Sequence, residues 1–339
     1  MITNWPLLIM VVVQILLAVS LLSVLHVSSS HLPGLLRRRE LDETTELSPI
    51  LDENVIVAVG DKIDDTVTAL FYHIPKAGGT TIHDLTAHCL GLTLACEVGV
   101  GRGHDRDNNI GLVSVDDGSK FVNVDATTKK GLKRAQRLGF AESELADVVF
   151  TGFVPQATNT LFDDDHRASI FALFRHPAQR AISMFYYLQD AHWEPTYHDE
   201  WKNMTLSDYI KSDYLEHDWM VRNLVGKYSE LLDDVDLENA KEIVSNHIWV
   251  GLITEMKESI NRFGAIYRWN EKPQWQGCIE SFAHHGSNKH DHPEIDTRSK
   301  EWKLLQAANF YDIQLYVHAV NVFEEQRQYF GNAEETEDK

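Results

Sequence analysis

The feature that most constrains the fold is a strand-like apolar run that leads directly into a glycine-containing turn and a helix start. Residues 68–74 (TALFYHI) are rich in β-branched and aromatic side chains, which favour a buried strand. Gly78–Gly79 mark the turn, and Thr80 or Thr81 can cap a helix that runs to about residue 90. A buried strand that turns into a helix in this way is a building unit of α/β proteins.

The same alternation continues along the chain and predicts an α/β fold, a parallel sheet with helices on both faces. Residues 169–175 and the helix that Pro177 opens form a second strand–helix corner, since proline is favoured at the first helical position. The further predicted strands are 92–96, 148–153 and 248–252, with a peripheral strand at 55–59. The further predicted helices are 127–138, 206–211, 217–225, 237–245, 255–267 and 300–330, and 99–118 is predicted to be a surface loop.

The N-terminal segment determines the expected domain organisation. Residues 7–27 contain no Lys, Arg, Asp or Glu, and about 20 apolar residues suffice to cross a bilayer. A cleaved signal peptide is the alternative, but it typically has a basic start and a shorter apolar core, so a transmembrane anchor is favoured. We therefore expect a short tail (1–6), the anchor (7–27), a stem (28–65), one large domain (66–331) and an acidic disordered tail (332–339).

Two features give opposite indications of how such an anchor is oriented. Arg37–Arg39 follow the anchor, and the positive-inside rule would place them in the cytosol, although large domains cross membranes largely regardless of charge. Asn203 begins the tripeptide Asn-Met-Thr, a candidate N-glycosylation site that indicates a lumenal body. These residues alone leave the orientation open.

The overall charge excludes a general nucleic-acid binder. The chain has 31 Lys and Arg against 51 Asp and Glu, and its formal net charge is −20. So acidic a chain repels polyanions except where basic residues cluster locally. The densest basic run, which suits either an anionic glycan or a solvated helix face, is Lys129, Lys130, Lys133, Arg134 and Arg137.

The cysteines argue against a disulfide-built scaffold and against a zinc site. There are 3 of them, Cys89, Cys96 and Cys278, and no Cys-x-x-Cys pair, so no metal is expected. Cys89 and Cys96 are close enough in sequence to pair in an oxidising compartment, which would leave Cys278 single. The alternative is that they are small buried residues.

The first strand–helix corner has the chemistry of an anion site. Gly78 and Gly79 let backbone N–H groups approach a phosphate, and the helix N-terminus supplies unpaired donors and a favourable dipole. Lys76 adds a positive charge, and Thr80 and Thr81 add hydroxyl groups. The lysine precedes the glycines, which disfavours a Walker ATPase. An ordinary glycine-rich turn is the alternative.

The second corner offers a second set of anion-binding groups. Arg180 and Ser183 share a helix face, and Arg175 lies at the strand end, where open α/β sheets bind ligands. Guanidinium and hydroxyl groups suit a phosphate monoester. The alternative is a surface ion pair for Arg180 and core packing for Ser183. Two anion sites on adjacent strand ends predict one ligand with phosphates at both ends.

Together the two corners resemble motifs of the membrane-bound carbohydrate sulfotransferases, and the chain is similar to the heparan sulfate O-sulfotransferases. Residues 73–81 (HIPKAGGTT) resemble the family's 5′-phosphosulfate loop, H-I-P-K-T-G-G-T-[ST]. Residues 175–183 (RHPAQRAIS) resemble its 3′-phosphate motif, R-x-P-x-x-R-x-x-S. Residues 250–256 and 310–316 are lesser similarities, and the likeness spans about 68–330.

The resemblance implies a P-loop-like sulfotransferase fold in a type II Golgi membrane protein whose catalytic domain is lumenal. The implied reaction moves a sulfuryl group from 3′-phosphoadenosine 5′-phosphosulfate (PAPS) to a hydroxyl of a glycan, and Lys76 would stabilise the leaving group. The resemblance implies further nucleotide-binding residues, which are Ala77, Gly78, Gly79, Thr80 and Thr81 for the 5′-phosphate and Arg175, Arg180 and Ser183 for the 3′-phosphate.

The group that would take the acceptor's proton is missing from its usual place. Many relatives have a histidine in a T-G-H-x-P segment, but residues 151–155 read TGFVP, and Phe153 cannot accept a proton. The other candidates for this role are His83, Asp84, His104, His192 and Glu194. If none of them serves, the chain is a catalytically inactive relative that binds glycans.

Overall fold

The computed structural model describes residues 51–64, 66–194, 197–283 and 295–330, and a seven-stranded sheet lies at its centre. The strand order is β3-β4-β2-β5-β1-β6-β7. All neighbouring strands are parallel except β3 and β4, which are antiparallel. The strands are β1 (Thr68–Tyr72), β2 (Leu94–Ala95), β3 (Leu112–Ser114), β4 (Lys120–Val122), β5 (Val148–Thr151), β6 (Ala168–Phe174) and β7 (Ile248–Leu252).

Helices connect the strands and account for most of the remaining described chain. The α-helices are α1 (Gly79–His83), α2 (Lys129–Arg137), α3 (Phe140–Ser143), α4 (Val154–Leu161), α5 (Pro177–Asp190), α6 (Leu206–Lys211), α7 (Trp219–Val225), α8 (Asp234–His247), α9 (Met256–Ile266), α10 (Trp275–Ala283), α11 (Lys300–Ala308) and α12 (Phe310–Glu325). A π-helix, Asp84–Cys89, continues α1 without a break.

The two faces of the sheet carry separate apolar layers. On β1, Leu70 and Tyr72 belong to one layer, and Ala69 and Phe71 belong to the other, because successive side chains of a strand point to opposite faces. Helix α4 packs in the first layer, and Ile82 of α1 packs in the second. The predicted α/β architecture with helices on both faces is confirmed.

The sheet brings the two strand–helix corners to the same edge. Strand β1 lies between β5 and β6, and it pairs with β6 in parallel from Thr68 opposite Ala168 to Tyr72 opposite Ala172. Their carboxyl ends therefore meet, and each leads into a helix, α1 after β1 and α5 after β6. The chain crosses from the β2 and β5 side to the β6 and β7 side here, which is where open α/β sheets bind ligands.

Two predictions of secondary structure were wrong. Residues 99–118 are not all loop, because the 3₁₀ segment Glu97–Arg106 and edge strand β3 occupy much of this stretch, and β3 makes the sheet mixed rather than fully parallel. The predicted helix 300–330 is two helices with a break at Asn309. The side chain of Asn309 donates to the Leu305 carbonyl at 2.9 Å and so ends α11.

The last part of the predicted stem packs against the domain. Leu51, Val55, Ile56 and Val57 are at most 5% exposed, and the first three belong to the first apolar layer. The predicted peripheral strand at 55–59 is reduced to one parallel bridge, between Ile56 and Ala168. The contribution of this segment is therefore apolar burial beside β6, with little strand pairing.

The predicted N-terminal tail (1–6), anchor (7–27), most of the stem (28–50) and the acidic tail (332–339) lie outside the described residues. Within the part of the chain that the structure describes, no helix has both the length and the apolar character that a membrane span requires.

The cysteine pairing considered from the sequence was wrong. Cys89 is bonded to Cys278 of α10, with a Cα–Cα distance of 5.8 Å, and Cys96 is a buried free thiol. The π-helix places Cys89 against α10, whereas Cys96 follows β2 into the core. Proximity in sequence did not reveal this pairing, because the two half-cystines are 189 positions apart.

Candidate active site

The phosphate-loop candidate is a tight turn with unusual backbone angles. The N–H of Ala77 donates to the Ile74 carbonyl at 3.2 Å, while Lys76 and Gly78 have φ angles of 65° and 90°. A lysine in the left-handed region is uncommon, and such strain concentrates at functional sites. Helix α1 begins at Gly79, so the first N–H groups of the helix have no intrahelical partner and are available to an anion.

Gly79 is required because the ring of His73 packs against it. A Cβ atom at position 79 would lie 2.2 Å from His73 Nε2, closer than any real contact. Burial, together with the neighbouring His83, lowers the pKa of His73 to about 4, so the ring is neutral at neutral pH. His73 therefore restricts position 79, the first residue of α1, to glycine.

The ammonium group of Lys76 lies over an aromatic ring of the second corner. Its Nζ atom is 4.1 Å from the centroid of the Tyr187 ring, in helix α5. Burial, and then the charge of Arg175, lower the pKa of Lys76 to about 8. Tyr187 was not identified from the sequence, although it shares a helix face with Arg180 and Ser183 at the i, i+3, i+7 spacing.

Arg175 joins the two corners directly. Its Nη1 donates to the backbone carbonyl of Lys76 at 2.8 Å. Burial, and then the charge of Arg180, lower the pKa of the Arg175 guanidinium from its usual value. Lys76 and Arg175, the two predicted anion ligands, are therefore neighbours that are both partly buried, and an anion bound to both would offset their mutual repulsion.

Arg180 and Ser183 are buried, at 1% and 3% exposed. Arg180 Nη1 donates to Glu216 Oε2 at 2.8 Å, so the ion pair considered from the sequence exists, but it is buried on the arginine side rather than on the surface. Burial lowers the pKa of Arg180, and the charges of Glu216 and Asp312 reverse this and raise it. Among the described residues, Arg180 Nε has no hydrogen-bond partner.

Beside the first corner lies a cavity of 650 Å³, and Phe153 is part of its wall. The other wall residues include His73, Pro75, Gly152, His217, Trp219 and Tyr228. The Phe153 ring belongs to a cation–π cluster, since the Lys129 ammonium lies 3.4 Å from the Tyr228 centroid and 5.4 Å from that of Phe153. Phe153, which stands where the sequence analysis looked for a base, is thus part of an aromatic wall.

His217 is a cavity residue that sequence reasoning missed. It is exposed, and its Nδ1 lies 3.1 Å from the Ala308 carbonyl. Because a carbonyl only accepts, Nδ1 carries the proton and Nε2 keeps its lone pair. Arg222 Nε donates to the His217 carbonyl at 2.9 Å and holds the backbone. No local sequence signal marks this histidine, since the Ala308 contact joins segments 91 positions apart.

The base candidates named from the sequence have other partners. His83 Nδ1 is 3.3 Å from Asp84 Oδ1, and His83 Nε2 is buried, so an acceptor hydroxyl cannot reach it. His104 bonds to Asp107 at 2.8 Å, and His192 Nδ1 donates to the Asp190 carbonyl at 2.8 Å. Glu194 accepts from the Tyr187 hydroxyl, which places it nearer to Lys76 than the sequence indicated.

The basic helix α2 borders a second cavity, of 780 Å³. Lys129, Lys130, Lys133 and Arg137 are exposed around it. Arg134 has a structural role, because its Nη2 donates to the carbonyls of Asp107 and His104 at 2.8 and 3.1 Å. Lys129 belongs to both cavities, since it lines this one and contacts the aromatic wall of the first.

Asn203 of the candidate glycosylation site is exposed at the end of the 3₁₀ segment Asp199–Asn203. The Thr205 hydroxyl caps α6 by accepting from the Asp208 N–H at 3.2 Å. The side chain of Asn203 is accessible, and its glycosylation stays a prediction.

The chain has limited similarity to known proteins. No protein-family model matches it. It is 23% identical over 311 residues to heparan-sulfate 6-O-sulfotransferase 2 of Gallus gallus, across 81% of this chain and 71% of the relative. The structure of mouse sulfotransferase SULT7A1 complexed with PAP aligns with 84% of this chain and 95% of that chain, at 11% identity and a TM-score of 0.37. The sequence similarity supports a relation of this chain to the sulfotransferases.

Proposed function

We propose that the protein transfers a sulfuryl group from PAPS to a hydroxyl of a carbohydrate acceptor. The observation that carries this proposal is the contact between the two corners, in which Arg175 donates to the Lys76 carbonyl. This contact joins the two strand–helix corners at the carboxyl edge of the sheet and so supports one ligand that bridges them. A ligand with a 5′-phosphosulfate and a 3′-phosphate fits two such corners.

The described residues have the donors that this nucleotide requires. Gly78, Gly79 and Thr80 lie where the first N–H groups of α1 can hold the 5′-phosphate, with Ala77 and Thr81 beside them. Arg175 and Ser183 would hold the 3′-phosphate. Arg180 is buried and pairs with Glu216, so it would stabilise the 3′-phosphate by its positive charge. Its Nε has no partner among the described residues, which suits a nearby anion or water.

We assign the acceptor to the cavity beside Phe153. Trp219, Tyr228 and Phe153 give it an aromatic wall, which suits the apolar face of a sugar ring. Lys129 connects it with the basic cavity along α2, so a longer glycan with acidic groups can extend over Lys130, Lys133 and Arg137. The local basic surface accounts for glycan binding by a chain whose net charge is −20.

His217 is the proposed proton acceptor. His217 lines the acceptor cavity, and its Nδ1 contacts the Ala308 carbonyl, which leaves Nε2 as the ring nitrogen that would take the proton. The acceptor oxygen forms a bond to sulfur as the bond from sulfur to the bridging phosphate oxygen breaks. The acceptor's proton passes to His217, and the Lys76 ammonium stabilises the charge on the leaving nucleotide, 3′-phosphoadenosine 5′-phosphate (PAP).

The test is transfer of labelled sulfate from PAPS to a panel of glycans. We expect the wild type to label at least one acceptor, Lys76→Ala to reduce the rate by about 10²- to 10³-fold, and His217→Ala by about 10²- to 10⁴-fold. His104→Gln is the matched control, since it alters a histidine–carboxylate pair outside the cavity. If His217→Ala kept full activity and Glu194→Gln lost activity, Glu194 rather than His217 would be the base.

Because Phe153 cannot accept a proton, a second function is favoured by this residue: glycan binding without catalysis. In that case the nucleotide site persists while no group takes the acceptor's proton. PAP binding with no sulfate transfer to any glycan of the panel would establish this alternative.

We also propose a type II Golgi membrane location, with residues 7–27 as the anchor and a lumenal catalytic domain. The exposed Asn203 gives a direct readout, because only a lumenal body is glycosylated there. In cells, we expect the wild type to lose mass on glycosidase treatment and Asn203→Gln to lose none. A wild type that is unchanged by the enzyme would oppose the proposal.

A further inference from the structure

The π-helix that follows the phosphate loop places two histidines on one side of the chain. His83 and His88 are five positions apart, which would set them about 140° apart around a regular α-helix. The π-helix Asp84–Cys89 instead closes i to i+5 bonds, such as Leu90 N–H to the Leu85 carbonyl at 2.9 Å. The ring centroids of His83 and His88 are therefore only 5.4 Å apart. Such a π-helical turn is rare and is found frequently at functional sites.

Asp84 completes a group of three metal-type donors. His83 Nδ1 is 3.3 Å and His88 Nε2 is 3.6 Å from Asp84 Oδ1, and the three donor atoms lie within 4.8 Å of one another. Zinc bonds of about 2.0–2.1 Å in a tetrahedral site place neighbouring ligand atoms about 3.3 Å apart. The cluster is thus close to the dimensions of a three-ligand zinc site. The side chains are 22%, 21% and 39% exposed, so an ion can reach them.

Two polar side chains outside this group of three contact His88 and orient its ring. Its Nδ1 is 3.0 Å from Asp117 Oδ2 and 2.9 Å from Ser119 Oγ. Because a carboxylate only accepts, Nδ1 directs an N–H at Asp117, and Nε2 is the ring nitrogen that faces the Asp84 carboxylate. A metal ion at this position would replace a proton on Nε2 and bind both Nε2 and the Asp84 carboxylate. A carboxylate behind a ligand histidine is the usual support of a zinc site.

We propose that His83, Asp84 and His88 bind one divalent transition-metal ion, best matched by Zn²⁺, with a water in the fourth position. The mixed nitrogen and oxygen donors and the open position fit zinc better than calcium or magnesium, which take oxygen ligands. The ion would hold the end of α1 to the π-helix, and the Nδ1 contacts of His88 would connect the site to the turn that contains Asp117 and Ser119. This site differs from the nucleotide and acceptor sites, and it does not depend on the proposed function.

The test uses the full-length chain, stripped of metal and titrated with Co²⁺, whose visible absorption reports tetrahedral coordination. We expect one Co²⁺ per chain, displaced by Zn²⁺, and a rise of several degrees in the melting temperature with saturating Zn²⁺. His88→Ala should lose the absorption and the thermal shift, and Asp117→Asn should weaken binding by about 10-fold or more. His104→Gln, which alters a comparable histidine–carboxylate pair, should behave as the wild type.

Melting in the absence of metal separates binding from folding. His88→Ala should then melt at the temperature of the metal-free wild type to within a few degrees, which shows that the variant folds. His83→Gln serves as the second variant if His88→Ala is unstable. The absence of the tetrahedral absorption in the wild type, or equal Co²⁺ binding by the wild type and both ligand variants, would overturn the site and leave a hydrogen-bonded cluster.

Discussion

Single side chains in the first corner set the position of the proposed nucleotide site. The strained φ of Lys76 and the direct contact of its carbonyl with Arg175 bring two cations together, at the cost of their mutual repulsion. Both have lowered pKa values, in each case because of burial and then a neighbouring arginine. A site in which positive groups are held together before any ligand arrives is suited to a multiply charged anion.

Gly79→Ala tests the close packing beneath the phosphate loop. The new methyl group would collide with His73 Nε2, and we expect a loss of about 1–3 kcal/mol in the free energy of unfolding, measured by denaturant titration. His73→Ala in the same chain should recover much of that loss. Gly277→Ala in α10 is the control, because nothing lies within 4 Å of its added methyl. Equal effects of the two glycine substitutions would contradict the packing argument.

The affinity for PAP should fall as the pH rises through about 8. Lys76 has a pKa of about 8, so its ammonium is mostly present below this pH and mostly absent above it, while the phosphates keep their charge. We expect a loss approaching 10-fold per pH unit above 8, measured by calorimetry. Lys76→Arg keeps its charge and should move the loss to higher pH. A wild-type affinity that is flat between pH 7 and 9.5 would oppose a role for this ammonium.

At the scale of elements, the N-terminal ends of α7 and α12 cap each other through hydrogen bonds. The Asp312 carboxylate accepts from the N–H groups of Met220 and Val221 at 2.9 Å each, at the start of α7. Asp218 accepts from the N–H groups of Tyr311 and Asp312 at 2.8 and 3.0 Å, at the start of α12. Because His217 immediately precedes Asp218, this reciprocal capping also fixes the edge of the acceptor cavity.

Asp312→Ala should destabilise the protein strongly. It leaves two buried N–H groups without an acceptor, so we expect a loss of about 2–4 kcal/mol in the free energy of unfolding. Asp208→Ala is the matched control, because Asp208 takes part in the exposed capping box at the start of α6 and should cost about 1 kcal/mol or less. Denaturant titration of both variants decides, and equal losses would contradict a special role for the buried pair.

The sequence predicted elements whose signals are local and missed those that depend on distant contacts. Strand β7 and helix α6 have the predicted bounds, because an apolar run defines the first and the Thr205 cap defines the second. The break at Asn309 was missed, since its Oδ1 accepts from the Asp218 N–H, 91 positions away. Edge strand β3 was missed because its short, partly exposed stretch lacks an apolar pattern.

The residues of the candidate site fall into the same two groups, those with a local sequence signal and those without one. Lys76 and Arg175 were predicted because each lies in a local strand–helix motif with its own chemistry. Glu216 and His217 were not, because they approach the site from the segment before α7 and no short pattern marks them. The sequence located the two strand–helix corners, and the tertiary structure supplied the candidate acceptor side.

At the scale of the whole molecule, the described chain is a sheet between two apolar layers, with the candidate site at its carboxyl edge and a disulfide on one face. The bond between Cys89 and Cys278 joins the end of the π-helix to α10, within the second apolar layer. It closes a chain segment of 189 positions, long enough for a large restriction of the unfolded state. The proposed lumenal location would supply the oxidising conditions that such a bond needs.

Reductant should therefore lower the stability of the wild type. We expect a loss of about 2–5 kcal/mol in the free energy of unfolding when the bond is reduced, and no reductant dependence in the double variant Cys89→Ala, Cys278→Ala. Cys96→Ala is the control, because that thiol is free and its variant should keep the reductant dependence. Peptide mapping that joins Cys96 to another cysteine would refute the pairing.

The most direct test of the central claim compares the calorimetric binding of PAP with that of adenosine 5′-monophosphate. If the two corners hold opposite ends of one nucleotide, Lys76→Ala should weaken both ligands by about 10-fold or more, since both have a 5′-phosphate. Arg175→Ala should weaken PAP by a similar factor and leave adenosine 5′-monophosphate within about 2-fold of the wild type. Failure of the wild type to bind PAP, or an equal loss of both ligands in Arg175→Ala, would contradict the account.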